Sequence, residues 1–168
     1  MAKDTHYRYY VEGECEVVLL ETLKTDYQCI RAGKIEKFNA LEKKLTMSRM
    51  RSFNKGTIVV LVFDTDKDEG NILEENIKLL KSSSMVKTVL CITQVENLED
   101  ELIRSCQIKN VREITGSKAS GDFKRDFIAL RNLKQRLDSC GFDFSKFWAK
   151  QPRKNFMHIE NEADKIRV

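Results

Sequence analysis

The sequence predicts an α/β domain with a mainly parallel sheet of four or five strands, flanked by helices and followed by a helical C-terminal extension. Three observations support this prediction. Apolar, β-branched runs alternate along the chain with segments of helical periodicity. Residues 57–63 form a nearly unbroken apolar run, which is typical of a strand buried on both faces. The length of 168 residues suits one domain with a substantial core.

The first half of the chain supplies three predicted strands. Residues 7–11 form the first strand, and a helix follows over residues 14–24, where apolar side chains recur at helical spacing. We expect a short second strand at residues 27–30 and a charged helix at residues 40–53. The third strand is the apolar run over residues 57–63.

The second half continues the alternation. Two helices, over residues 71–81 and 97–104, each begin at an asparagine, a residue suited to the N-cap. The fourth strand is predicted at residues 87–92 and a short fifth strand at residues 111–114. A long helix over residues 121–139 places its apolar side chains on one broad face.

The chain is expected to divide into an α/β domain, residues 1–118, and a helical, aromatic C-terminal extension, residues 119–168, packed on the same domain. The extension contains an aromatic cluster that is expected to pack, rather than to bind a ligand: Phe142, Phe144, Phe147 and Trp148. After Pro152 the tail is largely polar, so its last residues are expected to fray.

Composition excludes several classes of protein. The net charge is only +4, so the whole chain is not a polyelectrolyte. Five cysteines are widely spaced without a paired motif, which favours reduced thiols and a cytoplasmic protein. The two histidines are far apart, so neither a zinc site nor a Ser/His triad is indicated. The polar start and the absence of an apolar run near ~18 residues favour neither a signal peptide nor a membrane partner.

Carboxylates follow two of the predicted strands. Glu12 comes directly after the first strand, and Asp64 and Asp66 come directly after the third. Because the carboxyl ends of parallel strands meet at one edge of a sheet, we expect these three side chains to converge there. Oxygen ligands favour a hard cation, Mg²⁺ or Mn²⁺, rather than zinc. Asp68 is close enough in sequence to support them, although an exposed turn is its simpler role.

These residues resemble the signature of the Toprim family, which includes topoisomerases, bacterial primases, OLD-type nucleases and RloB-like proteins. The resemblance covers residues 7–115 and rests on two segments, Val11-Glu12-Gly13-Glu14 and Phe63-Asp64-Thr65-Asp66. It implies a Toprim-like, Rossmann-type domain in which Asp64 and Asp66 hold Mg²⁺. Glu12 then joins the metal shell or acts as a general acid/base.

Two further residues are assigned only by similarity to OLD-type nucleases. Glu99, after the fourth strand, matches a glutamate that helps to bind a second metal, although acids are also common at helix starts. Lys118 matches a lysine that stabilises a phosphoryl transition state, although it could equally be a surface lysine. Lys124 fits that role less well by its position in the sequence.

A basic segment precedes the third strand and is a candidate nucleic-acid surface. Its cations face only two acids, Glu36 and Glu42, in the same stretch, so the segment could hold phosphates. A solvated helix face is the alternative, and the helix with Lys124, Arg131 and Lys134 offers a competing surface. The basic segment comprises Lys34, Lys37, Lys43, Lys44, Arg49, Arg51 and Lys55.

The resemblance implies Mg²⁺- or Mn²⁺-dependent phosphoryl transfer on DNA or RNA, of the endonuclease type, with water as the attacking group. The chain offers no match to a topoisomerase tyrosine and no Walker motif. A non-cleaving module that binds metal and nucleic acid, or that docks onto a partner ATPase, is therefore the alternative.

Two other families share parts of the pattern. In haloacid-dehalogenase-like phosphatases Asp64 would be the nucleophile and Asp66 the acid/base, but that loop follows the first strand of the family. In response-regulator receivers Glu12 would bind metal, Asp64 would accept phosphate, Thr93 would be the switch hydroxyl and Lys118 the lysine of the fifth strand.

Overall fold

The sheet has four strands, all parallel, in the order β2-β1-β3-β4. The computed structural model describes residues 5–67 and 70–168, except the side chain of Lys154. Asp68 therefore lies outside the described residues. The strands are β1 (Tyr7–Val11), β2 (Gly33–Lys37), β3 (Thr57–Asp64) and β4 (Val86–Gln94). The predicted α/β class and parallel sheet are confirmed, and the arrangement is consistent with a Rossmann-like fold.

Seven α-helices lie among the described residues. They are α1 (Glu14–Thr25), α2 (Met47–Met50), α3 (Ile72–Ser82), α4 (Leu98–Ser105), α5 (Arg112–Thr115), α6 (Phe123–Ala129) and α7 (Leu133–Ser139). Short 3₁₀ turns occur at Ser120–Asp122, Phe144–Lys146, Lys154–Phe156 and Ala163–Ile166. The helices α1, α3 and α4 lie within one or two residues of their predicted bounds.

Apolar side chains cover both faces of the sheet. One face packs against α1, α4, α6 and α7, and the other packs against α3 and the segment of residues 38–53. The central strand β3 contributes to both cores, and its residues 57–63 are all buried. Burial on two faces explains why this strand is continuously apolar and why its sequence predicts it so clearly.

The predicted second strand at residues 27–30 is wrong. The strand β2 begins at Gly33, and residue 30 forms only an isolated antiparallel bridge with Arg167. Lys34, Glu36 and Lys37 make β2 highly charged, which suits an edge strand because charge discourages pairing with other chains. Gly33 is required by close approach, since a Cβ there would collide with the Tyr7 carbonyl oxygen.

The predicted charged helix over residues 40–53 is also wrong, because only α2 within it is helical. The segment runs over the sheet as turns, anchored by buried apolar side chains. Asn76, buried on α3, forms hydrogen bonds to the backbone of this segment. The Asn76 amide donates to the carbonyls of Ala40 and Lys43, and its oxygen accepts from the Leu45 N–H. A side chain 31 residues away in sequence replaces the hydrogen bonds of a helix.

Two predictions in the C-terminal third are wrong in type or continuity. The predicted fifth strand at residues 111–114 is the short helix α5, so the described sheet has four strands. The predicted long helix is broken into α6 and α7, because Leu130 takes an extended conformation and Asn132 a non-helical one. Both short helices still bury the apolar face that the periodicity predicted.

The extension crosses from one face of the sheet to the other around β4. Phe156 packs in the α3-side core, and Glu162 pairs with the open edge of β4 through both its backbone N–H and its carboxylate. Fraying of the last residues is not what the structure shows. Ile166 is buried, and its carbonyl accepts from the Arg31 N–H at 2.8 Å. No helix in the described part of the chain has the length and apolar character needed to cross a membrane.

Candidate metal and phosphoryl-transfer site

The strand order places β1 beside β3 at the centre of the sheet, although β2 and its connections separate them in sequence. The connection from β1 runs towards one side of the sheet and the next connection from β3 runs towards the other. This is a topological switch point, where open α/β sheets form a crevice at the carboxyl ends of their strands. Val11 is in register with Val62, so Glu12 and Asp64 emerge together at this crevice.

Glu12 and Asp64 are in direct contact. The Asp64 backbone N–H donates to Glu12 Oε1 at 3.0 Å. The convergence predicted for these two carboxylates is therefore present in the geometry. Gly13, between β1 and α1, is extended rather than left-handed, so it does not serve a special turn conformation. A Cβ at Gly13 would instead lie 3.1 Å from Glu16 Oε2.

Glu16 and Gln94 also belong to this site, and the sequence reasoning missed both. Gln94 ends β4 in register with Asp64, and its Nε2 donates to Asp64 Oδ1 at 2.7 Å and to Glu16 Oε1 at 3.5 Å. Glu16 lies in the first turn of α1 and is only 6% exposed. The sequence did contain a signal for Glu16, because this acid lies four residues after Glu12, in the first turn of the helix that follows β1.

Asp66 lies at the rim of the site. It is exposed, and the Asn97 side-chain amide approaches its Oδ2 at 3.5 Å. Asn97 also caps α4, as predicted, by accepting from the Asp100 N–H. Thr65, directly before Asp66, fixes the start of the acidic loop: its N–H and hydroxyl donate to the Gln94 carbonyl at the end of β4, and its N–H also donates to the Glu96 carbonyl. Among the described residues no three carboxylate, imidazole or thiolate groups already surround one point that a metal could occupy.

Glu12, Glu16 and Asp64 are the three carboxylates of the crevice. The charge of Lys124 lowers the pKa of Glu16 but does not offset the effect of burial. Burial, followed by the charges of Glu12 and Glu16, raises the pKa of Asp64 to about 9. Burial is also the main cause that raises the pKa of Glu12 and of Glu16. None of the ion pairs between described side chains involves these three residues. Without a cation Asp64 therefore retains its proton at neutral pH.

A cavity of about 190 Å³ opens between the carboxylates and the helices α1, α4 and α6. Asp64 and Glu16 line it together with Glu99 and Lys124. The Lys124 ammonium is 4.0 Å from Glu99 Oε1, and its side chain is 75% exposed. Glu99 thus reaches the same crevice, as its predicted position after β4 required.

Lys118 is placed differently from Lys124. It is exposed and follows the helix α5 rather than a strand, and it does not line the described cavity beside Asp64. Lys124 does line that cavity. The sequence favoured Lys118 as the lysine that contacts the phosphoryl group, whereas the structure places Lys124 closer to the carboxylates. The loss of the fifth strand also removes the structural basis for Lys118 in a receiver-like arrangement, and the corresponding switch residue, Thr93, is fully buried.

A thiol nucleophile is not available at this site. Cys15 lies on the cavity wall, but burial raises the pKa of its thiol to about 12. Its Sγ lies 3.7 Å from the Lys124 carbonyl oxygen, to which the thiol donates. A neutral thiol with this pKa is a poor nucleophile at physiological pH.

The basic segment does not form one continuous positive surface. Lys34 and Lys55 line cavities at the amino ends of the strands, together with Thr5 and His6 and away from the carboxylates. Several of its cations already have acidic partners in the structure. These pairs are Lys34–Glu36 at 2.7 Å, Lys37–Glu14 at 3.6 Å, Lys44–Glu75 at 3.1 Å and Arg49–Glu36 at 3.7 Å.

The remaining members of the segment are Lys43 and Arg51, and both are exposed. Other cations lie nearer to the site. Lys67 follows Asp66 directly and pairs with Glu42 at 3.6 Å, and Arg153 lines a cavity of about 260 Å³ together with Asp66 and Lys67. The positive charge available to a substrate at this edge thus comes from several separate elements. Sequence proximity alone could not identify it.

Comparison with known proteins adds no family assignment. Neither the protein-family models, nor the curated proteins, nor the solved structures include a match to this chain.

Proposed function

We propose that this protein catalyses divalent-cation-dependent phosphoryl transfer on nucleic acid, as an endonuclease-type hydrolase that uses Mg²⁺ or Mn²⁺. One observation carries the proposal. Buried Glu16 and half-buried Glu12 and Asp64 lie together at the switch point of the sheet, and none of them forms an ion pair with a described side chain. Such an arrangement is costly unless the groups stay protonated or an external cation binds.

The residues present suit Mg²⁺ or Mn²⁺. In proteins Mg²⁺ usually keeps several waters and takes only one or two carboxylates together with substrate phosphates. Glu12 and Asp64 supply two such carboxylates, and Asp66 is the nearby exposed carboxylate that can turn towards them. A site that encloses the ion completely is therefore not needed. The oxygen-only donor set argues against zinc.

The bound cation would polarise a phosphoryl oxygen and lower the pKa of a coordinated water. The protein residues have separate tasks. Asp64 and Asp66 would hold the cation. Glu12 would either complete the set of ligands as an ionised carboxylate or, if it stays outside that set, exchange a proton with the attacking or leaving oxygen, a role that its raised pKa suits. Lys124, on the cavity wall, offers positive charge to the phosphoryl group. Water is the attacking group, because the nearest thiol, Cys15, is held neutral.

Nucleic acid is proposed as the substrate on two grounds. The motif around Glu12, Asp64 and Asp66 resembles the Toprim signature, and cations from several elements surround the carboxylate edge. Lys67, Lys124 and Arg153 are the side chains that line the adjoining cavities. Contacts of this type hold backbone phosphates and carry little sequence information.

A cleavage assay tests the proposal. Single- and double-stranded DNA and RNA are incubated with and without Mn²⁺, and native protein is compared with Asp64→Asn. Asp164→Asn, which changes an aspartate that is 94% exposed and pairs with Arg167, is the matched control. We expect cleavage by the native protein and the control, and a loss of at least ~10²-fold in Asp64→Asn. Equal activity in all three preparations would point to a contaminating nuclease and would refute the assignment.

The alternative is a module that binds metal and nucleic acid, or a partner such as an ATPase, without cutting. It predicts Mn²⁺ binding that depends on Asp64 but no cleavage by the native protein on any substrate. The same variants distinguish the two functions.

A further inference from the structure

The carboxylate site is connected to the C-terminal extension through a chain of hydrogen bonds. The indole N–H of Trp148 donates to Gln94 Oε1 at 3.3 Å. The Gln94 side-chain amide then donates to Asp64 Oδ1 at 2.7 Å and to Glu16 Oε1 at 3.5 Å. Gln94 is 0% exposed and Trp148 is 2% exposed, so water does not compete for these groups.

Trp148 determines which way the Gln94 amide faces. An amide side chain can rotate by half a turn and exchange its oxygen and nitrogen, so its direction depends on its partners. An indole N–H can only donate a hydrogen bond. The Gln94 oxygen must therefore face Trp148, and the NH₂ group must face Asp64 and Glu16. With the opposite orientation, the Gln94 oxygen would meet two carboxylates and its NH₂ group would meet another donor.

Trp148 is itself held in place by polar contacts. Its backbone N–H donates to Glu101 Oε2 at 2.9 Å, while Glu101 Oε1 accepts from the Val95 N–H at 3.0 Å. The Asn161 side-chain amide donates to the Trp148 carbonyl at 2.8 Å. Trp148 has a φ of 57°, in the left-handed region that a residue with a Cβ rarely adopts. Several contacts thus maintain a backbone conformation that is unfavourable by itself.

We propose that Gln94 and Trp148 are positioning residues for the cation site, and that the C-terminal extension thereby sets its affinity. This inference rests on the proposed function, because it concerns the same carboxylates. The amide of Gln94 occupies one oxygen of Asp64 and one of Glu16, and so fixes the orientation of both carboxylates. Loss of the Trp148 N–H frees the amide to rotate. Its oxygen would then disfavour the ionised carboxylates that a bound cation requires.

Calorimetric titration with Mn²⁺ tests this role without an activity measurement. Gln94→Met keeps the length of the side chain but removes its three hydrogen bonds, and we expect it to weaken Mn²⁺ binding by about 10- to 100-fold, as for other partners that orient metal ligands. Trp148→Phe keeps the aromatic packing but removes the N–H, and we expect a loss on the order of tenfold, at the lower end of that range. Phe142→Leu, which disturbs the same aromatic cluster through Phe147, is the control and should bind normally.

The double variant separates positioning from packing. If Trp148 acts through Gln94, then Gln94→Met combined with Trp148→Phe should bind Mn²⁺ no more weakly than Gln94→Met alone. Additive losses, or normal Mn²⁺ affinity in Trp148→Phe, would overturn the inference. Native protein that fails to bind Mn²⁺ would instead refute the metal site and the proposed function.

The hydrogen-bonded chain can also be tested without metal. Trp148 is the single tryptophan, so a ¹⁵N–¹H spectrum contains one indole N–H signal. We expect Gln94→Met to shift this signal upfield, because the N–H no longer has its acceptor, and Phe142→Leu to leave it nearly unchanged. An unchanged signal in Gln94→Met, with the protein folded, would show that the indole does not donate to Gln94 and would refute the inference.

Discussion

Two acidic positions on strands of the same sheet have opposite surroundings. Glu36, on the edge strand β2, is surrounded by cations: Lys34 at 2.7 Å, Arg8 at 3.3 Å and Arg49 at 3.7 Å. Partial burial would raise the pKa of Glu36, but these three cations lower it. Asp64, on the central strand β3, forms no ion pair with a described side chain, and burial, followed by the charges of Glu12 and Glu16, raises its pKa to about 9.

The difference identifies the carboxylates that the fold does not neutralise. The protein supplies the counter-charge at Glu36, so that acid has a structural role at the surface. At Asp64 the counter-charge must come from a proton or from an external cation. Unpaired carboxylates that are shielded from water at a switch point are therefore a sharper sign of a binding site than the number of acids in a loop.

The largest expected effect is a loss of cleavage activity when a carboxylate of the crevice, rather than Glu36, loses its charge. Glu12→Gln keeps the size of the side chain but removes its charge, and we expect it to lower Mn²⁺-dependent cleavage by about 10²- to 10⁴-fold. Glu36→Gln is the matched control, because it makes the same chemical change at the neutralised position. Cleavage rates under saturating Mn²⁺ measure both. Similar losses in the two variants would show that charge at the crevice is not special.

A second prediction concerns stability in the absence of metal. The folded-state pKa of Asp64, about 9, exceeds its ordinary value of 3.8. Between these values the folded protein retains a proton that the unfolded chain releases, so its stability must fall as pH rises. We expect Asp64→Asn to raise the free energy of unfolding by about 1–3 kcal/mol at mildly alkaline pH and to flatten the pH dependence.

Urea unfolding in the presence of a chelator measures this change across the pH range between the two pKa values. Added Mn²⁺ should stabilise the native protein and have little effect on Asp64→Asn, since a ligand stabilises only the state that binds it. A native protein whose stability rises with pH through this range would contradict the assignment of an unneutralised Asp64.

A third, smaller effect has the opposite sign. Glu36→Gln should lower the free energy of unfolding by about 0.5–1 kcal/mol, because three cations are left without a partially exposed partner. The folded-state pKa of Glu36 lies below its ordinary value of 4.5, so its contribution is present above that pH and is lost as pH falls through the lowered value. Unfolding at near-neutral and acidic pH tests this, and stabilisation by Glu36→Gln would contradict it.

The smallest expected effect concerns the nucleic-acid surface. Charge reversal at Lys43 and Lys44 should flatten the dependence of log affinity on log salt, by about one unit for each phosphate that the protein no longer neutralises. Because Lys44 already pairs with Glu75, we expect most of the change to come from Lys43. The comparison variant reverses Lys124 and Arg131. An unchanged slope in the first variant with a reduced slope in the second would place the nucleic acid along α6.

The elements with a local or repeated cause could be predicted from the sequence. The apolar run of β3, the helical periodicity of α1 and the capping asparagine of α4 each produced the predicted structure. The positions of Glu12 and Asp64 after parallel strands were also sufficient to predict their convergence, because strand direction fixes which edge they reach.

The other features arise from contacts between distant parts of the chain. Asn76 stabilises a non-helical conformation of residues 40–45 through hydrogen bonds to their backbone. The strand β2 begins at Gly33, where the chain passes close to Tyr7. Neither contact produces a periodic pattern in the sequence. Gln94 ends the apolar strand β4, and no feature of the sequence indicates that its side chain contacts Asp64. Trp148 reaches the site across 54 residues of sequence because the extension folds back over β4. Contacts of this kind depend on which elements become neighbours, and packing of the whole chain determines that.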